Sequence, residues 1–156
     1  MRMRSAGIVV KDGNILLIHR KNEREYYVLP GGRIEAGESA SEACVREVFE
    51  ESSIRVVALR PVLELYWEEG KSHICYVCEY VSGTPRLGDD TNEAKKMRDP
   101  LSGEFYEPLW VPIDSWQSLP IHPQEAKEAL GRFLSEGFPK EALKLYLKPA
   151  EKKDSL

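Results

Sequence analysis

Hydrophobic and polar positions alternate along several short runs of the chain, and along one longer stretch the apolar positions recur every three to four residues instead. A period of two puts successive side chains on opposite faces of a strand, whereas a period of 3.6 marks one face of a helix. Residues 4–20, RSAGIVVKDGNILLIHR, read as two strands joined through Lys11, Asp12, Gly13 and Asn14, where Asp-Gly supplies the backbone freedom of a hairpin turn. The run YYVLP predicts a short strand that ends at Pro30 and the Gly31-Gly32 pair, a place where backbone can approach a ligand closely. Residues 39–52 contain neither Gly nor Pro, and a helical wheel sets Cys44, Val45, Val48 and Phe49 on a core face opposite Arg46, Glu47, Glu50 and Glu51. Ser39 or Ser41 can cap this helix, and Glu42 follows Ser39 at the spacing of a capping box.

Two further β-rich runs, 54–66 and 73–81, flank the turn signal Glu68, Glu69, Gly70, Lys71. Residues 82–108 are rich in Gly, Pro, Asp and Lys and run longer than a structureless connection usually does in a compact domain, which marks the segment for function. LWVPI predicts a last short strand, Asp114 starts a helical turn through Gln117, and residues 123–147 read as one or two helices broken near Gly137, Phe138 and Pro139. The tail at 149–156 is expected to fray. Strands and helices mix without strict βαβ alternation, so the simplest packing is an α/β sandwich with a mixed sheet, in one domain over residues 1–156.

Composition narrows the picture. Hydrophobic residues make up 42% and charged residues 31%, ordinary for a soluble globular chain, and no apolar run approaches the ~20 residues needed to span a bilayer. Arg2 and Arg4 precede a strand-like alternation rather than the apolar stretch of a signal peptide, so the expected location is cytoplasmic, with no membrane partner. A net charge of −4 argues against duplex DNA or RNA and for a small phosphorylated substrate. Cys75 and Cys78 lie three apart in a strand-like run and so point to opposite faces, which disfavours zinc; with Cys44 they read as small buried apolar residues. His19, His73 and His122 show no spacing that suggests a nucleophile dyad and read as structural.

The chemistry concentrates on the charged face of the 39–52 helix. Glu47, Glu50 and Glu51 crowd like charges beside Arg46, a costly arrangement unless a cation offsets it, and Mg2+ usually meets one or two carboxylates plus substrate phosphates. A merely solvated helix face would not explain why Gly32 and Glu38 precede the helix at fixed offsets. The full pattern, G-x5-E-x7-R-E-V-x-E-E-x-S-I over residues 32–54, resembles the signature of the Nudix hydrolases in every fixed position except Ser53, where the family has Gly. Six such matches coincide by chance about once in ten million windows. YYVLPGG before it and YEPLWVPIDSW after it also resemble family segments.

The resemblance implies a Nudix-type α/β/α sandwich and a Mg2+-dependent pyrophosphohydrolase, with Mn2+ able to substitute, acting on a nucleoside diphosphate linked to another group X. It further implies Glu47, Glu50, Glu51 and the Gly31 carbonyl as metal ligands, Arg46 as their orienter and Glu38 as support for the junction before the helix. Arg20 and Gly32 then fall at the substrate's phosphates, and the general base is one of Glu50, Glu93 and Glu104. NTPs or dNTPs are the leading substrate class, because the Pro and Tyr that mark ADP-ribose and diadenosine polyphosphate enzymes are not at their expected distance past the motif. The alternative is a catalytically silent, nucleotide-binding sensor, although such members usually lose the motif's glutamates. A homodimer stays open.

Overall fold

The computed structural model describes residues 2–148, so the tail expected to fray lies outside the described residues. β1 (Arg2–Lys11) and β2 (Asn14–Lys21) form the predicted hairpin, with Asp12 at φ 51° and Gly13 at φ 77°, the pair of left-handed residues that a tight two-residue turn requires. β3 (Glu25–Val28) pairs with the Ile18–Lys21 end of β2. The Gly31-Gly32 pair does not simply end a strand: it forms β4 (Gly31–Arg33), antiparallel to β1 with Gly31 opposite Ala6. A Cβ on Gly31 would stand 2.5 Å from the Ser5 carbonyl oxygen, so glycine is what lets the two backbones close.

α1 (Ala40–Ser52) begins at Ser39, whose hydroxyl accepts from the Glu42 N–H while the Glu42 side chain accepts from the Ser39 N–H. It ends at Ser53, left-handed at φ 63°, whose N–H donates to the Phe49 carbonyl. β5 (Arg55–Trp67) and β6 (Lys71–Ser82) pair antiparallel. α2 (Asn92–Arg98), β7 (Phe105–Pro112), a 3-10 turn (Ile113–Ser118), α3 (Gln124–Glu136) and β8 (Leu143–Leu147) complete the described chain.

The strands form one mixed sheet in the order β3-β2-β1-β6-β5-β8, with β4 added on β1 and β7 on β2; β1–β6 and β5–β8 are the parallel pairs. Alternation along each strand serves a layer on either side. Ile8, Leu17, Cys75 and Leu65 pack with Trp116, Ala126, Leu130 and Phe133 of the 3-10 turn and α3. Their neighbours Val9, Leu16 and Cys78 pack with Cys44 and Val48 of α1. The result is the expected α/β/α sandwich, and Cys75 and Cys78 serve opposite layers as the strand period required. Cys44 and Cys78 meet as free thiols, 3.6 Å apart between sulfurs. Among the described residues no helix is long and apolar enough to cross a membrane.

Three expectations need correction. On α1 the buried face is Ala43, Cys44, Val48, Glu51 and Ser52, while Val45 and Phe49 are 36% and 40% exposed; the Phe49 ring lies under the Arg55 guanidinium, 4.5 Å away. The 82–108 segment is not structureless, because Thr91 caps α2 by accepting from the Ala94 N–H and β7 already begins at Phe105. Residues 143–147 are a strand rather than a helix, with Leu143, Leu145 and Leu147 turned to the core and the strand pairing with Leu63–Trp67 of β5.

Candidate active site

A cleft of about 780 Å³ opens on the α3 side of the sheet. Gly31, Gly32, Glu47 and Glu51 form one end of it, and α2 contributes Asn92, Glu93 and Lys96. Arg2, Arg4, Lys71 and His73 stand on the sheet wall, Arg20, Tyr26 and Tyr106 come from β2, β3 and β7, and Leu65, Cys75, Ile121 and Leu130 are among its apolar lining.

Arg46 organises the carboxylate end. Its Nε and one terminal nitrogen donate to both oxygens of Glu38 at 2.7 and 2.9 Å, the bidentate geometry in which a guanidinium binds a carboxylate most strongly. The other terminal nitrogen donates to Glu47 at 2.8 Å and to Glu50 at 3.2 Å, and the Arg33 carbonyl accepts at 3.0 Å. This pairing holds the Glu38 carboxyl well below the usual range, at about 2. Arg46 thereby ties the segment before α1 to the first turns of the helix.

Glu47 and Glu51 stand one turn apart and both face the cleft. Burial pushes the Glu47 carboxyl above its ordinary pKa although Arg46 opposes this. Glu51 is only 9% exposed and is pushed well above the ordinary value by burial first, then by Glu93 and Glu47. The donor to Glu51 is the Gly31 N–H, at 3.4 Å. A Cβ on Gly32 would collide with the Glu47 carboxylate, so this glycine leaves the space the carboxylate occupies.

The remaining expected residues divide. Glu93 faces the cleft from α2, close enough to raise the Glu51 pKa by repulsion. Glu50 does not line the cleft; its side chain is 47% exposed and shares one Arg46 nitrogen with Glu47, so of the three motif glutamates Glu47 and Glu51 face the cleft and Glu50 flanks Glu47 on the solvent side. Glu104 sits 3.8 Å from Arg20, which donates to the Tyr106 hydroxyl at 3.0 Å. Arg20 Nε and Glu104 Oε2 are both buried without a hydrogen-bond partner. The sequence reading missed Arg2, Arg4, Lys71, His73 and Tyr106, because strand register, not spacing along the chain, gathers them.

Among the described residues no three His, Cys, Asp or Glu side chains form a ready-made metal cage. The arrangement nonetheless fits a divalent cation that completes its coordination with substrate. Glu47 and Glu51 are hard oxygen donors, the first half-buried and the second buried, and mutually repelling, and Mg2+ needs only one or two carboxylates beside phosphates and water.

The family model of the NUDIX domain matches residues 1–133. An ADP-ribose pyrophosphatase of Methanocaldococcus jannaschii is 38% identical over 96 residues, covering 57% of this chain and 57% of that protein. A putative 8-oxo-dGTP diphosphatase of Bacillus subtilis is 42% identical over 90 residues, covering 56% of this chain and 58% of the relative. The chain therefore spans less than two thirds of the length of either. Among solved structures, a NUDIX hydrolase from Nitrosomonas europaea superposes with a TM-score of 0.73 at 16% identity, over 95% of this chain and 79% of the other. A MutT protein from Bacillus halodurans does so with a TM-score of 0.62 at 22% identity, over 96% and 92%. At these identities the two likenesses concern the fold.

Proposed function

Because the chain belongs to the NUDIX domain family, we propose that it is a cytoplasmic pyrophosphohydrolase, dependent on Mg2+ or Mn2+, that cuts a nucleoside diphosphate linked to a group X. The observation that carries this reading is the convergence of Glu47, Glu51 and Glu93, from two helices, on the cleft end closed by Gly31 and Gly32. Glu47, Glu51 and the Gly31 carbonyl would hold the cation; Glu50, on the same Arg46 nitrogen as Glu47, would join from the solvent side. A bound divalent cation supplies charge offset on the diphosphate and makes an attacking water more acidic.

The chain's own groups do the rest. Arg46 orients Glu47 and fixes Glu38, so the carboxylates keep their places without rearranging. Arg20, its Nε unsatisfied, directs a donor at substrate oxygens. Glu93 is the strongest candidate to take a proton from water, since it faces the cleft and has no ion-pair partner among the described residues, whereas Glu50 is paired with Arg46 and Glu104 lies beside Arg20. The enzyme reading is favoured over a silent sensor because Glu38, Arg46, Glu47, Glu50 and Glu51 are all retained.

NTPs and dNTPs lead as substrates, and ADP-ribose is the second reading, favoured by the similarity to the methanogen protein of that name. The test is hydrolysis of a panel of NTPs, dNTPs and NDP-X compounds with Mg2+ or Mn2+, read by product chromatography. Release of a nucleoside monophosphate supports the reading. No turnover of any panel member with either ion would overturn it.

A further inference from the structure

The sheet wall of the cleft sets like charges directly opposite one another. β1 and β6 run parallel with Arg2 beside Lys71, and on the other edge of β1, β4 places Arg33 opposite Arg4; the uncharged His73 imidazole stands beside Arg4. Partners across a ladder share a face, and all five of these residues line the cleft. Like charges in that position destabilise a sheet.

Among the described residues no carboxylate forms an ion pair with Arg2, Arg4, Arg33 or Lys71, although Arg4 is close enough to Glu51 to favour its charged form. Arg4 makes one long contact, 3.5 Å to the Gly31 carbonyl, and the Lys71 ammonium stands 5.0 Å over the Trp67 ring. His73 brings to the same wall an Nε2 that is buried without a partner. The chain carries 26 acidic residues against 22 Lys and Arg, so cations left unpaired together in one cleft are no consequence of a basic composition.

We propose that Arg2, Arg4 and Lys71, with His73 between them, form a second anion subsite on the sheet wall that takes a phosphoryl group carried by X. This rests on the hydrolase reading for the seat of the scissile diphosphate, and it narrows the substrate: compounds whose X carries a further phosphoryl group are preferred over those whose X is neutral. Arg4, through its contact at Gly31, adjoins the carboxylate end, so the two sites form one continuous track. Guanidinium and ammonium groups donate charge-assisted hydrogen bonds to phosphoryl oxygens, and an anion seated there removes the ladder's repulsion.

Two measurements decide it. The first compares kcat/KM for ADP-ribose with ADP-ribose 1″-phosphate, and for dGDP with dGTP, in the wild type and in Arg2→Gln/Lys71→Gln, with Lys71→Gln alone as the second variant should the double one fail to fold. The phosphorylated member should be preferred by about tenfold or more, the scale of one charge-assisted hydrogen bond, and the preference should collapse in the variant. The second is thermal melting with EDTA present, in sodium phosphate against sodium chloride at equal ionic strength. Phosphate should raise the wild-type Tm but not the variant's, and in chloride the variant should melt no lower than wild type. A wild-type preference near unity, or one that survives in the variant, overturns the subsite. If no panel member is cut, the hydrolase reading falls and the melting comparison alone decides: a phosphate shift lost in the variant upholds the subsite, and equal shifts overturn it.

Discussion

His73 shows how the cleft's cations act on a single side chain. Burial first, then the charges of Arg4 and Lys71, pull its pKa from 6.5 down to about 4. As pH falls through 6.5 the unfolded chain takes up the proton while the folded ring stays neutral, so the native state loses stability until the folded ring also protonates near pH 4. Replacing His73 with Gln removes this term. The difference in Tm between H73Q and wild type should therefore shift in the variant's favour between pH 6.5 and 4, and a difference constant with pH would show that the folded ring titrates normally. Ser53 is a second test at this scale. It holds φ 63°, a conformation that costs a non-glycine residue roughly 1 kcal/mol or more, and its hydroxyl donates to the Arg86 carbonyl at 2.7 Å. Ser53→Gly exchanges that bond for a relaxed backbone and should be close to neutral. Ser53→Ala loses the bond and keeps the strain, so urea unfolding should place it about 1 kcal/mol below the Gly variant. Equal stabilities would mean that the helix does not end left-handed in solution.

Among the elements, α1 was legible because two local signals agree, the Ser39 and Glu42 box and a run without Gly or Pro. What its wheel could not reveal is that Glu51 is buried and Phe49 is not, since a polar cleft wall and an apolar core wall meet on the same helix face. β8 was misread although Gly137 and Pro139 separate it from α3, because Leu143, Leu145 and Leu147 are too short a run to fix a period and only pairing with β5 decides it. α2 was missed because seven residues are too few for periodicity to speak. Its one clear signal was Thr91, whose hydroxyl accepts from the Ala94 N–H at 3.1 Å and donates to the Gly88 carbonyl at 2.8 Å. Thr91→Ala should weaken the start of α2 by about 0.5–2 kcal/mol. That change loosens the placement of Glu93 and Lys96 in the cleft without touching the sandwich core. Hydrogen exchange in α2 should quicken while global unfolding moves little, and relative rates across the nucleotide panel should change. Unaltered rates with a frayed α2 would make the helix a passive insertion.

At the level of the whole molecule, stability and chemistry are set against each other in the cleft. One end buries Glu51 with a single long backbone hydrogen bond and two carboxylates nearby, and the sheet wall sets unpaired cations side by side. Neither arrangement helps the empty fold, because a buried charge without a partner is costly and ladder neighbours of like sign repel. A ligand that binds only the folded chain offsets such costs by mass action, by about 2.7 kcal/mol when present at a hundred times its Kd. In a chain of this size that corresponds to roughly 5–10 °C in Tm. Glu51→Gln isolates the carboxylate end, since it keeps the shape and removes the charge. With EDTA at pH 8 the variant should melt above wild type, and Mg2+ should raise the wild-type Tm by several degrees but the variant's hardly at all. Because the folded state raises the Glu51 pKa, the wild type should regain ground on the variant as pH falls toward the ordinary carboxylate range, where both carry a neutral group. Turnover of any nucleotide that the wild type cuts should fall at least about a hundredfold in the variant. A variant that melts below wild type in EDTA yet gains as much from Mg2+ would mean that Glu51 is held by contacts that favour its charge, and the cation would have to be sought elsewhere in the cleft.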